Sequence, residues 1–327
     1  MTAAGLLLLC LAGAAGGDPG VRNGHRLAYD AARRAVLLFG GAGHEKVGDD
    51  LWAWDGRGWR MVEASGPGPR TFPAFAFDAA RGEAVVFGGN RVLFGPEGVR
   101  DTLLDDTWVH GRGEWSRRDA PGPSVRAEAA AAYDAHRRVV VLFGGYQRTA
   151  QGNLRLGDTW EWDGARWKRA ADGGPPPRSG AAMAYDDRRR RIVLFGGRAP
   201  EALSPETWEW DGARWTRVAA GDAEPRFNPV MAFDGRRGTM VRFGGWTGRE
   251  RTADTWLFRF PAWTRLDASG PSARNHSAMA YDEARGRTVL FGGHDGTRVF
   301  GDTWEWDGRR WLLRRSVLPL ARVDNGH

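Results

Sequence analysis

The sequence predicts an all-β fold, a six-bladed β-propeller of four-stranded antiparallel blades. Three observations predict it. A glycine pair closes an apolar run six times, at Gly40-Gly41, Gly88-Gly89, Gly144-Gly145, Gly196-Gly197, Gly244-Gly245 and Gly292-Gly293. The pairs are spaced 48, 56, 52, 48 and 48 residues apart. Each is followed by an acidic residue, a spacer and a tryptophan: Asp50-Leu51-Trp52, Asp106-Thr107-Trp108, Asp158-Thr159-Trp160, Glu206-Thr207-Trp208, Asp254-Thr255-Trp256 and Asp302-Thr303-Trp304. A repeat of this length and strand-rich content fits a propeller blade, and six copies leave no room for a second domain.

The fourth unit shows why each element forms. Arg178 to Asp186 is a first strand of small and apolar residues, and Asp187 to Arg190 is a turn. Arg191-Ile192-Val193-Leu194-Phe195 is a second strand of β-formers, ended by the glycine pair. Thr207-Trp208-Glu209-Trp210 is a third strand of alternating character. Asp211-Gly212-Ala213-Arg214 is a hairpin turn, and Trp215 to Val218 a fourth strand. The fifth unit replaces the Asp-Gly turn with Pro261-Ala262, and the second has Val109-His110 where others have a Trp-ending pair. Both keep the acidic-Thr-Trp start and count as full blades. A twisted sheet cannot bury both faces alone, so blades pack side by side. Sixteen of the 17 tryptophans sit at three repeat positions of strands three and four, which assigns them to that packing.

Residues 1–17 carry no charged side chain, and Leu6 to Leu11 precede an Ala/Gly stretch. This reads as a secretory signal, too short to span a bilayer. The expected location is secreted, periplasmic or cell-surface, or cytoplasmic if the leader is misread. Cys10 is the only cysteine, so the mature chain would hold no disulfide and no thiolate metal site. Leu9 stands where a small residue normally precedes a lipidated cysteine. The formal charge is +7, but only Lys46 and Lys168 are lysines and the arginines spread through every repeat. No single region interleaves basic and aromatic residues, which argues against nucleic acid.

The glycine pair after a hydrophobic strand, the later aromatic pair and the arginine opening strand one resemble the Kelch family, within the galactose oxidase central-domain-like propellers. The resemblance spans units starting near 22, 70, 126, 178, 226 and 274, within residues 18–318. It implies a central channel and a binding role, although fold does not fix function. In Kelch propellers that take acidic peptides, the strand-one arginine and its next neighbour can face the ligand. By position these are Arg22, Arg70, Arg126, Arg178, Arg226 and Arg274, with Asn23, Thr71, Ala127, Ser179, Phe227 and Asn275. An arginine fork suits a carboxylate. Pairing with an acidic residue of its own or the adjacent blade is the competing expectation, and occurrence in all six units favours it.

All length variation falls between strands two and three. Eight residues separate the glycine pair from the acid in four units, against 16 in unit two (Asn90 to Asp105) and 12 in unit three (Tyr146 to Gly157). Such insertions share one face and commonly mark the binding face. The residues after the glycine pairs are Ala42, Asn90, Tyr146, Arg198, Trp246 and His294. Trp246, the only tryptophan outside the repeat positions, is the first candidate ligand contact, with Tyr146, Asn90, Arg198, His294 and Asn275 beside it.

Catalytic signatures are missing. Galactose-oxidase-type copper chemistry, implied by part of the wider family, needs a Cys-Tyr crosslink that a lone leader cysteine cannot supply. No histidine pair has metal-binding spacing, although His25, His276 and His294 come from adjoining units and could meet at the channel mouth. No cofactor, metal or catalytic residue is expected. The expected function is non-enzymatic binding of a protein or glycan, acidic ones included. The alternative is a carbohydrate-active propeller using a channel-mouth carboxylate, with Trp246 and Tyr146 as stacking platforms. Residues 319–327 repeat the Pro-x-x-Arg opening of a unit and read as a tail or a closure segment.

Overall fold

The computed structural model describes residues 17–44, 46–95, 98–218 and 224–316. The leader, except Gly17, and the segment 319–327 lie outside them. Six four-stranded antiparallel sheets form six blades, each from one contiguous stretch of chain. In blade four, Ala182–Asp186, Arg191–Phe195, Thr207–Trp210 and Trp215–Val218 pair in sequence order. The first strands are Arg26–Asp30, Ala74–Asp78, Ala130–Asp134, Ala182–Asp186, Val230–Asp234 and Ala278–Asp282. Each contacts its neighbours, and the last contacts the first, so they ring a central axis. No described residue is helical, so no helix there is long and apolar enough to cross a membrane.

The core lies between blades. Leu27, Val36, Leu38, Trp52, Trp54 and Trp59 of blade one pack on Ala278, Ala280, Val289 and Phe291 of blade six. Trp54, Trp162, Trp210 and Trp306 are at most 1% exposed, which makes them packing residues, as their repeat positions predict.

The acidic-Thr-Trp triplet has a separate job for each member. The acid receives the indole N–H of the tryptophan two residues on, as in Trp52 to Asp50 (2.8 Å) and Trp160 to Asp158 (2.7 Å). The threonine hydroxyl accepts the strand-four indole N–H of the next blade. Trp167 reaches Thr107, Trp215 reaches Thr159, Trp263 reaches Thr207, Trp311 reaches Thr255 and Trp59 reaches Thr303, all at 2.8–2.9 Å. The Trp59 bond closes the ring between blades one and six.

The glycine pairs join blades by close approach. Both members have positive φ in every unit. The second glycine's N–H donates to the arginine carbonyl of the next blade, from Gly41 to Arg70 round to Gly293 to Arg22 (2.8–3.0 Å). A Cβ on the first glycine would come within 2.5–2.8 Å of that same carbonyl. Any side chain there would push two blades apart, beyond the backbone strain it would add.

The two long inserts are paired strands rather than irregular loops. In blade two, Glu83–Gly95 and Gly98–Gly111 continue their pairing beyond the glycine pair as far as Gly95 opposite Gly98. In blade three, Tyr146–Thr149 pairs with Gly152–Arg155. Arg148 and Asp101 form an ion pair between the two hairpins.

Leu27, Phe75, Ala131, Met183, Met231 and Met279 line both a cavity of about 100 Å³ toward the hairpin side and one of about 470 Å³ toward the other. They form an apolar waist between two chambers.

Candidate functional site at the hairpin-side channel mouth

The six strand-one arginines do not face the mouth. Arg22, Arg70, Arg126, Arg178, Arg226 and Arg274 are at most 4% exposed. Each pairs with the acid that opens strand three of its own blade: Arg22–Asp50 at 2.9 Å, Arg70–Asp106, Arg126–Asp158, Arg178–Glu206 and Arg226–Asp254 at 2.7 Å, and Arg274–Asp302 at 2.6 Å. All except Arg226 also donate to the first glycine carbonyl of their pair, at 3.0–3.1 Å. The guanidinium thus clasps the end of strand two to the start of strand three. Burial alone would raise the acids, but the arginine's hydrogen bonds and charge hold Asp50, Asp106, Asp158 and Glu206 below the usual carboxylate range. Of the two expectations for this ring, internal pairing describes the geometry.

The neighbouring residues pair with the residues that follow the glycine pairs. Backbone bridges join Asn23 to Ala42, Thr71 to Asn90, Ala127 to Tyr146, Ser179 to Arg198, Phe227 to Trp246 and Asn275 to His294. The sequence therefore singled out both sides of one collar.

One position further on lies a ring of which the sequence reading named only His276. Gly24, Phe72, Glu128, Gly180, Asn228 and His276 stand two residues after the six arginines, and all have φ between +49° and +68°. Four are not glycine, in a conformation uncommon for side-chain-bearing residues. Backbone bonds run from blade to blade: Phe72 N–H to Gly24, Glu128 to Phe72, Gly180 to Glu128, Asn228 to Gly180 and Gly24 to His276 (2.7–3.1 Å). The constant offset of two, filled by six unequal residues, was the signal that could have found them. Two glycines make room for aromatic rings. A Cβ on Gly24 would meet Phe72 at 3.0 Å, and one on Gly180 would meet Phe227 at 2.5 Å. Phe72 also packs edge-on against His276, at 4.8 Å between ring centres, although blade one separates their blades. The mouth is therefore roofed by side chains.

Glu128 is the buried acid of this ring. It accepts from Ser179 Oγ at 2.8 Å and from Asn228 Nδ2 at 3.4 Å. Burial pushes its carboxyl up, against those hydrogen bonds and the charges of Arg26 and Arg155. Burial likewise lowers Arg26 to about 10, against the attraction of Glu128. Arg155 stands over the Tyr146 ring at 5.4 Å, and Arg251 over the Trp246 ring at 5.1 Å. Burial and the Glu128 charge raise the Tyr146 phenol, which stays protonated. Arg251 Nε also donates to Asn275 Oδ1 at 2.9 Å. Arg198 is exposed on the same rim, while Asn90 is buried and its Nδ2 lies 3.4 Å from Asp101.

Two of the three candidate histidines meet. His294 Nε2 lies 2.9 Å from His276 Nδ1. Burial, with His294, Arg26 and Arg251, lowers His276 to about 3, and burial and Arg251 lower His294. His25 is fully buried, with Nε2 against the Phe291 carbonyl at 3.1 Å. Among the described residues no three histidine, cysteine or acidic side chains are placed to hold a metal ion.

No protein-family model matches the chain, and no curated protein matches it by sequence. Among solved structures it is similar to the structure of YjhT, at 15% identity and a TM-score of 0.70, over 91% of this chain and 99% of that one. At that identity the likeness shows the fold alone: a six-bladed β-propeller.

Proposed function

We propose that the chain is an exported Kelch-type propeller that binds an acidic partner at the hairpin-side mouth, without chemistry. One observation carries the reading. Arg26, Arg155, Arg198 and Arg251 converge on that mouth, and among the described residues none has a carboxylate within salt-bridge distance. The strand-one arginines, by contrast, are spent on the fold. Guanidiniums on a half-buried rim beside Trp246, Tyr146, Asn275 and His294 suit a carboxylate- or sulfate-bearing peptide or glycan. The paired hairpins of blades two and three would form one wall of that surface. The uncharged apolar leader supports export, which N-terminal sequencing of protein recovered outside the cytoplasm would test.

Glu128 favours a second reading, a carbohydrate-active enzyme. A buried carboxyl with a raised pKa suits a general acid. Against it, glycoside cleavage ordinarily uses two carboxylates, and Asp101 is engaged by Arg148. The faces of Trp246 and Tyr146 are each covered on one side by an arginine.

Acidic-peptide and anionic-glycan arrays, followed by calorimetry on hits, test the first reading. Binding that weakens at least tenfold in Arg155→Ala and Arg251→Ala, with the ligand recovered unchanged, supports it. No saturable anionic ligand, or a ligand consumed by wild type but not by Glu128→Gln, overturns it.

A further inference from the structure

The opposite chamber of the channel lies across the apolar waist from the hairpin-side mouth. Its volume is about 470 Å³, within the range of small-molecule pockets of about 300–1,000 Å³. Six-fold repetition explains why it exists. Ala28, Ala76, Ala132, Ala184, Ala232 and Ala280 occupy one level of the six first strands, and all are buried. Six alanines cannot fill the centre of a six-bladed ring, so space remains above the apolar waist.

The next level is aromatic in every blade: Tyr29, Phe77, Tyr133, Tyr185, Phe233 and Tyr281 line the same chamber. The tyrosines are fixed at their tips by the neighbouring blade. Tyr29 accepts the Ala284 N–H at 3.2 Å, Tyr133 accepts that of Ala80 at 3.1 Å, and Tyr281 accepts that of Arg236 at 3.2 Å. Burial raises all four phenols, so they stay neutral. Tyr29, Tyr133 and Tyr185 are half-buried at this pre-formed wall, whereas Phe77, Phe233 and Tyr281 are packed into the clusters between blades.

Symmetry breaks at the rim. The equivalent positions are Ala31, Ala79, Ala135, Asp187, Gly235 and Glu283, so three consecutive blades carry two acids separated by a glycine. A Cβ on Gly235 would lie 3.3 Å from Asp187 Oδ2 and 3.7 Å from the Tyr281 ring. The missing side chain lets the Asp187 carboxylate lean across blade five toward blade six. Burial, then the Asp187 and Asp282 charges, raise the Glu283 carboxyl, which places the two rim acids within electrostatic reach. Among the described residues neither has a salt bridge. The turn arginines beside them are committed elsewhere: Arg189 to Asp186 and Glu209, Arg237 to Asp234, and Arg285 to Asp282 and Glu305. Arg188 and Arg236 donate to backbone carbonyls of the next blade. One sector of this cup thus carries two carboxylates that form no salt bridge among the described residues, with the Arg188 and Arg236 guanidiniums held on backbone carbonyls beside them.

We propose that this chamber binds an organic cation, a quaternary or fully alkylated ammonium group on an apolar body. Aromatic walls attract such a cation through their ring faces while tolerating its lack of hydrogen-bond donors. Asp187 and Glu283 supply the counter-charge at the rim, and the waist of Met183, Met231, Met279, Leu27 and Phe75 receives the apolar part.

Benzyltrimethylammonium is the probe, and its neutral isostere neopentylbenzene the control, both titrated into the full chain by ligand-observed NMR. The expected result is saturable binding of the cation, at least tenfold tighter than the isostere. It should fall at least fivefold in Asp187→Asn/Glu283→Gln and be lost in the cavity-filling variant Ala232→Leu. The hairpin-side variant Arg251→Ala should leave it unchanged, which separates this site from the anionic one. Absence of saturable binding, equal binding of the isostere, or indifference to the acid-neutralising pair overturns the proposal. Thermal denaturation of each variant checks folding. If Ala232→Leu is unfolded, the acid-neutralising pair and the isostere decide.

Discussion

Trp115 is a strand-four tryptophan whose buried indole N–H has no acceptor, and Leu51 stands where the preceding blade would supply a threonine hydroxyl. Leu51 and Trp115 belong to one apolar cluster, so packing there survives while the hydrogen bond does not. The other five blade boundaries keep the bond.

This contrast predicts the cost of losing it. Thr303→Val keeps the shape and removes the acceptor of Trp59 at the boundary between the last and first blades. It is expected to lower stability by about 1–3 kcal/mol, the cost of a buried polar group left unpaired. Trp115→Phe, which breaks no such bond, should be milder than Trp167→Phe by about 1 kcal/mol. Urea denaturation of the three variants checks both statements, and equal losses for the two tryptophans would refute the second.

Arg242 should be a liability. Its five counterparts are Leu38, Val86, Leu142, Leu194 and Leu290, yet it is fully buried with no hydrogen bond from any guanidinium nitrogen. Phe195, Trp256 and Trp263 surround it at 4.3–5.1 Å, and Asp254 is 3.9 Å away. Burial lowers its pKa to about 9. Arg242→Leu is expected to be neutral or to stabilise by up to about 4 kcal/mol, because a poorly paired buried charge is removed. A drop in the chemical-denaturation midpoint would contradict this.

Core and rim tryptophans should separate. Trp210→Ala removes a fully buried ring and is expected to cost about 3–5 kcal/mol. Trp246→Ala removes a half-buried ring at the mouth, so the melting temperature should change little while affinity for an anionic ligand falls. Differential scanning calorimetry together with titration of an array hit reads both.

Binding at the hairpin-side mouth should strengthen as pH falls. The folded-state pKa of Glu128 is raised, so the folded chain holds that proton to higher pH than the unfolded chain. The resulting stabilisation is full below the ordinary value of 4.5 and is lost as pH rises through the folded value. Neutral Glu128 repels an anion less than ionised Glu128. Affinity for a sulfated probe should therefore rise roughly three- to tenfold on passing below the folded pKa. Burial lowers His276 to about 3, and it lowers His294 as well. Glu128→Gln should flatten the profile, and an unchanged profile would remove Glu128 from the effect.

Phase in the sequence carried the fold: the glycine pairs, the Trp positions and the acidic-x-Trp triplets located all six blades. The same regularity concealed the site. Arg70 and Asp106 are easy to see because they recur, and they recur because they hold the blade together. Glu128 differs from its five counterparts, so the repeat marks its position but not its chemistry. Its importance comes from burial and from Ser179 and Asn228, which only the closed ring brings to it. The insert of blade two was legible as extra length, but its hairpin pairing depends on register that a list of residues does not display.

Because each blade is one unbroken stretch of chain, the boundary between the last and first blades is made of the same kinds of lateral contact as the others. Trp59 meets Thr303 there, Gly293 meets Arg22, and Arg315 meets Asp18 at 2.8 Å. Among the described residues no strand crosses that boundary to staple it. In topological terms the ring has no privileged starting point. Joining residues near 18 and 316 by a short linker, and reopening the chain at another link between blades, would give a permuted protein with the same six sheets. Neither the anionic mouth nor the aromatic chamber depends on where such a cut is made, since both are assembled from side chains of several blades around one axis.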